Sequence, residues 1–161
     1  MKLIILMLTV LSLNVYSNIP EGRYQVEKIQ CTTGKTLKLG GKFMVYKIYL
    51  DVSNGLMKMT AKANSGSWAP FKLNCTQVNE GSFTYTQEGK YEGELPNTSV
   101  RCNAKAWTRI LKKKLFGVEK FGEFSYAVNG DKLVISNPDT VTKYSCDKNG
   151  GYPVYYYKKI Q

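Results

Sequence analysis

Three glutamates form the closest approach to a catalytic arrangement in this chain. Glu88, Glu92 and Glu94 fall within one short run, and on an extended strand Glu92 and Glu94 would share a face about 7 Å apart. That spacing suits the acid/base pair of a glycoside hydrolase. However, glycines flank these residues and Pro96 follows them, which is typical of a solvated loop. Because histidine is absent, His-based general bases and His-ligated metals are excluded. We therefore predict a protein that is not an enzyme and needs neither a metal nor a cofactor.

Cysteine is the other residue type that could do chemistry. The four cysteines, Cys31, Cys75, Cys102 and Cys146, are widely spaced and form no CxxC motif. An even number in an exported chain favours two structural disulfides, and four cysteines allow three pairings. We favour Cys31–Cys146 with Cys75–Cys102, because closing a strand meander brings its two ends together.

The N-terminus predicts export. Lys2 precedes an apolar run from Leu3 to Leu13, and Val15-Tyr16-Ser17 forms a small-residue cleavage site with the cut after Ser17. The run is too short to span a bilayer. We therefore assign residues 1–17 to a signal peptide and residues 18–161 to a single β-barrel domain that is secreted or periplasmic.

Alternating apolar and polar residues, the pattern typical of β-strands, dominate the rest of the chain. Any site must therefore be built on a β-sheet scaffold. Asn54-Gly55 is the favoured type I′ hairpin turn. It would place Val52 opposite Met57 and Leu50 opposite Met59, so that the apolar side chains share one face. Turn chemistry and hydrophobic pattern therefore predict the same hairpin.

Two more hairpins and a bulge follow from the same pattern. Asn129-Gly130 predicts a turn that sets Tyr126 opposite Leu133 and Phe124 opposite Ile135. Residues 79–81 predict a third turn between two apolar-patterned strands. The phase of the apolar residues changes within residues 26–29, which predicts a bulge in the first strand. Together these features indicate an all-β, up-and-down antiparallel barrel of about eight to ten strands.

One segment departs from strand alternation. Apolar residues from Asn103 to Phe116 fall near helical spacing, which predicts a short basic helix or lid, although a strand could begin at Leu115. The residues predicted to flank the barrel mouth and to contact an anionic partner are Trp107, Arg109, Lys112, Lys113 and Lys114. Two interpretations stay open, a lid whose lysines point to water and a contact with an anionic membrane surface.

The barrel interior is the candidate binding site. A barrel of about eight strands is just wide enough to hold one small ligand, and tyrosines and methionines would give it an adaptable apolar wall with polar anchors. The residues predicted to line it are Met44, Tyr46, Ile48, Met57, Met59, Phe124 and Tyr126. The same residues could instead simply fill the core.

Three segments resemble the lipocalin-like group of calycin barrels. Gly22-Arg23-Tyr24 stands where lipocalins open the first strand with a Gly-x-Trp motif, and residues 126–135 are similar to the late hairpin of bacterial lipocalin-like domains. The last strand, Tyr155 to Ile160, carries a basic pair similar to the cation that packs over the first-strand aromatic. The resemblance implies a barrel with a one-ended cavity for an apolar small molecule.

The formal net charge of +11 indicates anionic partners. The function we expect is non-enzymatic binding of a small hydrophobic or amphiphilic ligand, including an anionic lipid, with an anionic surface as a further contact. The alternative is a protein-binding module, an inhibitor or a surface interaction domain, on a filled disulfide-braced barrel. We do not expect a nucleic-acid partner. Lys72 beside Phe71, and Lys158-Lys159 after Tyr155 to Tyr157, suggest basic residues interleaved with aromatic ones, but lysines spread along the strands are more typical of the solvated face of a sheet.

Overall fold

Alternating apolar and polar side chains form ten strands in the computed structural model, which describes residues 19–87, 90–93, 97–109, 122–136, 146 and 151–161. The strands are β1 (Gly22–Cys31), β2 (Thr36–Leu37), β3 (Met44–Ser53), β4 (Leu56–Ser65), β5 (Asn74–Gln87), β6 (Lys90–Gly93), β7 (Asn97–Cys102), β8 (Gly122–Asn129), β9 (Lys132–Ser136) and β10 (Pro153–Lys159). Residues 105–109 form a short helix, α1. The predicted signal peptide lies outside the described residues.

Eight of these strands close into an antiparallel barrel. Sequential neighbours pair from β3 to β4, β5, β6, β8, β9 and β10, and β1 closes the ring by pairing with both β3 and β10. The short strands β2 and β7 are additions that pair with β1 and β5. The predicted all-β, up-and-down barrel is therefore confirmed.

The hairpin between β3 and β4 has the predicted register. Val52 pairs with Met57 and Leu50 with Met59. Asn54 and Gly55 have φ angles of 48° and 72°, so both central residues adopt the left-handed conformation that a type I′ turn requires.

The hairpin between β8 and β9 forms, but its predicted register is wrong. Tyr126 pairs with Ile135 rather than with Leu133, and the ladder ends at Asn129 opposite Lys132. The turn is therefore Gly130-Asp131, with φ of 61° at Gly130 and no positive φ at Asp131. A glycine at the first central position is typical of a type II′ turn. Since the shift is two residues, every side chain keeps its predicted face.

The turn predicted at residues 79–81 is wrong as well. β5 runs without a break from Asn74 to Gln87, and the ladder with β4 continues through Gly81 opposite Met57. Backbone pairing along this edge outweighs the local turn signal. By contrast, the predicted bulge in β1 is confirmed between Val26 and Lys28, where the register with β10 shifts.

Large side chains fill the middle of the barrel. The core residues, each no more than 7% exposed, are Ile19, Tyr24, Val26, Ile29, Leu50, Val52, Met57, Tyr91, Phe124, Leu133, Ile135 and Tyr157. Ile19 belongs to this core although it precedes β1, and the Tyr24 hydroxyl donates a 2.7 Å hydrogen bond to the Pro20 carbonyl. The segment before β1 therefore packs against the core at the end of the barrel where β1 begins.

Both predicted disulfides are confirmed, Cys31–Cys146 and Cys75–Cys102. Cys75 lies directly opposite Cys102 in the ladder between β5 and β7. Disulfides of this kind are typical of an oxidising extracellular or periplasmic environment.

Candidate functional site

An apolar cavity of about 550 Å³ opens at the end of the barrel where β3 and β5 begin and β4 ends. This volume is within the usual range for small-molecule sites. Its lining residues are Phe43, Met44, Tyr46, Ala61, Lys62, Ala63, Ala69, Pro70, Phe71, Leu73, Cys75, Thr76, Gln77, Val100 and Trp107. We call this end of the molecule the cavity end.

Two alanines make room for the cavity on the inner face of the sheet. Along β4 the inward positions are Met57 and Met59 deep in the barrel and Ala61 and Ala63 near its mouth. Tyr46 pairs with Ala63 across the ladder. The wall thus changes from long to short side chains toward the cavity end, which leaves unfilled space beside the packed core.

The outer wall of the cavity is a loop, residues 66–72, that is closed by hydrogen bonds at its base. The Ser65 N–H donates to the Leu73 carbonyl at 2.8 Å, and the Ser65 hydroxyl donates to the Phe71 carbonyl at 2.8 Å and accepts from the Leu73 N–H. The Trp68 N–H donates to the Lys42 carbonyl at 3.0 Å, which ties the loop to the segment before β3.

The helix α1 is held against this loop by Asn103. The side-chain amide of Asn103 donates to the Lys72 carbonyl at 2.8 Å, and its oxygen accepts from the Asn74 N–H at 3.1 Å. The Thr108 hydroxyl accepts from the Cys102 N–H at 2.9 Å. These bonds fix α1 so that Trp107 stacks on Phe71, with ring centroids 6.4 Å apart.

The polar group best placed to anchor a ligand is Gln77. It lies in the cavity wall, and its amide nitrogen donates to the Asn79 side-chain oxygen at 2.8 Å. This leaves the Gln77 amide oxygen as an acceptor for a ligand hydroxyl or amide. Lys62 also borders the cavity, but its exposed side chain places the ammonium 5.6 Å from the Tyr49 ring centroid on the outer face.

Positive charge surrounds the cavity end. Residues 28–50, 59–79 and 97–109 together carry ten Lys and Arg and no Asp or Glu. The three ion pairs among the described residues, Arg23–Asp51, Lys58–Glu80 and Lys90–Glu123, all lie outside these segments. The mouth is therefore electrostatically suited to an anionic group.

The structure separates the predicted interior residues into two sets. Met44 and Tyr46 line the cavity, as does Trp107 from the predicted mouth. Buried or half-buried residues deeper in the barrel are Ile48, Met57, Met59, Phe124 and Tyr126.

Arg109 is exposed at the described end of α1. Lys112, Lys113 and Lys114 lie outside the described residues, as do Glu88 and Glu94, while Glu92 is exposed on β6.

Strand periodicity missed three exposed aromatic residues in the loops at the cavity end. Phe43, Phe71 and Trp68 are 60%, 52% and 62% exposed, and the first two line the cavity. The signal that could have found them is compositional: aromatic residues stand beside Gly66 and Pro70 in a loop, where polar residues are usual.

Aromatic rings surround the buried Tyr91 in the core. Tyr91 contacts Phe124 and Tyr126, with ring centroids 5.6 Å and 5.3 Å away. Burial, followed by the charge and hydrogen bond of Tyr126, raises the pKa of Tyr91 to about 12. Burial also raises the pKa of Tyr157. Burial therefore keeps both hydroxyls protonated to a more alkaline pH than that of an exposed tyrosine.

Comparisons with protein families, curated proteins and solved structures give no significant match for this chain. In the part of the chain that the structure describes, no helix is long and apolar enough to cross a bilayer. The same residues contain no group of three His, Cys, Asp or Glu side chains placed to hold a metal ion.

Proposed function

We propose that this protein binds a small hydrophobic or amphiphilic ligand without chemical turnover. The apolar part of the ligand would lie in the cavity beside Ala61 and Ala63, and a polar or anionic head would face the mouth near Gln77 and the basic residues. The observation that carries the proposal is the open 550 Å³ cavity with its almost entirely apolar lining.

The outline of the barrel supports a lipocalin-like ligand carrier. Gly22-Arg23-Tyr24 begins β1, and Tyr24 pairs with Lys159 of the closing strand. The Lys159 ammonium donates to the Glu21 carbonyl at 2.9 Å. In this proposal the barrel is filled at the end where β1 begins and receives ligand at the cavity end, and its disulfides suit a secreted or periplasmic carrier.

Native mass spectrometry of protein recovered from an oxidising export route tests the proposal directly. We expect a discrete added mass that disappears after solvent extraction. The extracted protein should then take up a long-chain fatty acid, with a change in the fluorescence of Trp107, which lines the cavity. A clean mass with no uptake from a panel of fatty acids and lysolipids would overturn the proposal.

Filling the cavity provides the matched control. Ala61→Phe places a ring in the cavity and should weaken fatty-acid binding by at least about tenfold, since it occupies the ligand volume. Ala127→Phe makes the same change at an exposed position of β8 and should leave binding unchanged.

A protein-binding module is the second candidate, and the exposed aromatic residues favour it. Phe43, Trp68 and Phe71 are each more than half exposed at the cavity end, and exposed aromatic patches are typical of interaction sites. A module of this kind would keep its partner after Ala61→Phe, whereas a ligand carrier would lose its ligand.

A further inference from the structure

We propose that the cavity end docks on an anionic phospholipid bilayer, with the cavity mouth facing the lipid. The contact surface, which we call the aromatic rim, consists of Phe43, Trp68, Phe71 and Trp107. Docking on a bilayer is a separate property from ligand binding in solution. An experiment can therefore contradict either proposal and leave the other standing.

The aromatic rim places large apolar side chains in water at a single end of the barrel. Its members are 60%, 62%, 52% and 40% exposed in chain order. Trp68 is exposed and is not among the cavity-lining residues, so ligand binding does not account for its position. Tryptophan at a surface of this kind is suited to the boundary between headgroups and acyl chains.

Basic side chains accompany every member of the rim. Lys42 precedes Phe43, Lys72 follows Phe71, and Lys105 and Arg109 flank Trp107 in α1, and all four are exposed. The Lys42 ammonium lies 4.0 Å from the Trp68 ring centroid and makes a cation–π contact with that ring.

Charge complementarity selects the partner. Residues 28–50, 59–79 and 97–109, which build the described part of this end, contain no Asp or Glu, and anionic lipid headgroups attract clustered Lys and Arg. An acidic protein or a nucleic acid would satisfy the charge as well. However, Phe43 and Phe71 have no polar atom and border an open apolar cavity, and an acyl-chain region accommodates both features.

Vesicle binding of the chain from Asn18 onwards, with both disulfides formed, tests the docking. The two vesicle types are phosphatidylcholine alone and phosphatidylcholine with about one-third phosphatidylserine. We expect binding to the anionic vesicles alone, weakening as salt is added. We also expect a blue shift of tryptophan emission and quenching by lipids brominated in the upper acyl chain. Both tryptophans of the chain belong to the rim, so this signal reports the rim directly.

Charge reversal at either end of the barrel gives the matched comparison. Lys42→Glu with Lys72→Glu should weaken anionic vesicle binding by at least about thirtyfold, because two rim charges change sign. Lys132→Glu with Lys158→Glu changes the net charge equally on the exposed, paired positions of β9 and β10 and should leave binding nearly intact. Trp68→Ala should weaken it by about tenfold.

Fatty-acid uptake in solution separates docking from the proposed function. Trp68 does not line the cavity and carries no charge, so Trp68→Ala should bind a soluble fatty acid normally while it loses affinity for anionic vesicles. Equal losses from the two charge-reversed pairs would overturn the docking proposal. So would vesicle binding without bromolipid quenching, or tighter binding to an acidic protein or single-stranded nucleic acid than to anionic vesicles.

Discussion

The ring of Trp107 lies on the ring of Phe71 with 6.4 Å between centroids and an interplanar angle of 25°. Trp107 comes from α1 and Phe71 from the loop before β5, so this contact joins a helix and a loop into one wall of the cavity. The wall has no strand pairing of its own, and its geometry depends on the side-chain hydrogen bonds that hold α1.

Asn103→Ala tests this dependence. The variant loses the two side-chain hydrogen bonds to Lys72 and Asn74, which should lower the free energy of unfolding by about 1–2 kcal/mol. Fatty-acid affinity should fall further, because Trp107 is no longer held on Phe71. Trp107 fluorescence in a Trp68→Phe background measures both quantities. Asn64→Ala, at the same end of the barrel, should change neither, and equal effects of the two variants would contradict this role.

Gly66 is required by a close backbone approach. A Cβ atom at this position would collide with the Lys42 carbonyl group. Gly66→Ala should therefore displace the loop and lower the free energy of unfolding by about 1–3 kcal/mol, as measured by denaturant titration. Gly41→Ala is the control, because its Cβ would meet no atom within 4 Å. A fully stable Gly66→Ala protein would show that the loop position is not fixed by Lys42.

The two disulfides should differ in their contribution to stability. They close loops of sequence separation 115 and 27, and a chain-entropy treatment gives about 4.8 and about 3.6 kcal/mol respectively. Cys31→Ala with Cys146→Ala should therefore destabilise the barrel more than Cys75→Ala with Cys102→Ala. Denaturant unfolding of the two double variants measures the order, and the reverse order would contradict the loop-length explanation.

Buried tyrosines should make the barrel sensitive to alkali. An unfolded tyrosine ionises near pH 10, whereas the pKa of folded Tyr91 is raised to about 12. Below pH 10 both states are protonated and stability is retained. Between pH 10 and 12 only the unfolded chain loses its proton, so stability falls as pH rises.

Phenylalanine variants identify which tyrosines cause this alkaline loss. Tyr91→Phe and Tyr157→Phe should each reduce the fall in the free energy of unfolding at alkaline pH, because the phenylalanine in each variant cannot ionise in the unfolded chain. Circular dichroism follows unfolding and tyrosinate absorbance follows ionisation. A decline as steep in both variants as in the unsubstituted protein would assign the effect to other groups.

Regular features of the barrel could be predicted because they depend on local chemistry and period-two patterning. Asn54-Gly55 specified both a turn and a register, and the side chains around it agreed. In the second hairpin, a turn at Asn129-Gly130 and a turn at Gly130-Asp131 place each side chain on the same face of the sheet. The hydrophobic pattern alone therefore cannot distinguish these two registers, which differ by two residues. The continuous pairing of β5 with β4 through Gly81 could not be predicted from the residues around Gly81, because it depends on the neighbouring strand β4.

The cavity was harder to predict than the fold. Met44, Tyr46 and Trp107 were identified from their residue types, but the space itself results from the placement of Ala61 and Ala63 near the mouth. The loop carrying Phe71 has no periodicity, and its position follows from the hydrogen bonds of Ser65 and Asn103. These bonds link residues distant in sequence, which single-sequence patterns do not encode.

Among the described residues, charge is divided unequally along the barrel axis, and this gives the described part of the molecule a permanent electric dipole. Residues 28–50, 59–79 and 97–109 carry ten cations and no acidic residue, while all seven described acidic residues lie in the remaining segments. Near an anionic surface such a dipole exerts a torque that turns the cavity end forward before contact. Productive encounters would then need less rotational search, so association should be faster at low ionic strength than random orientation allows.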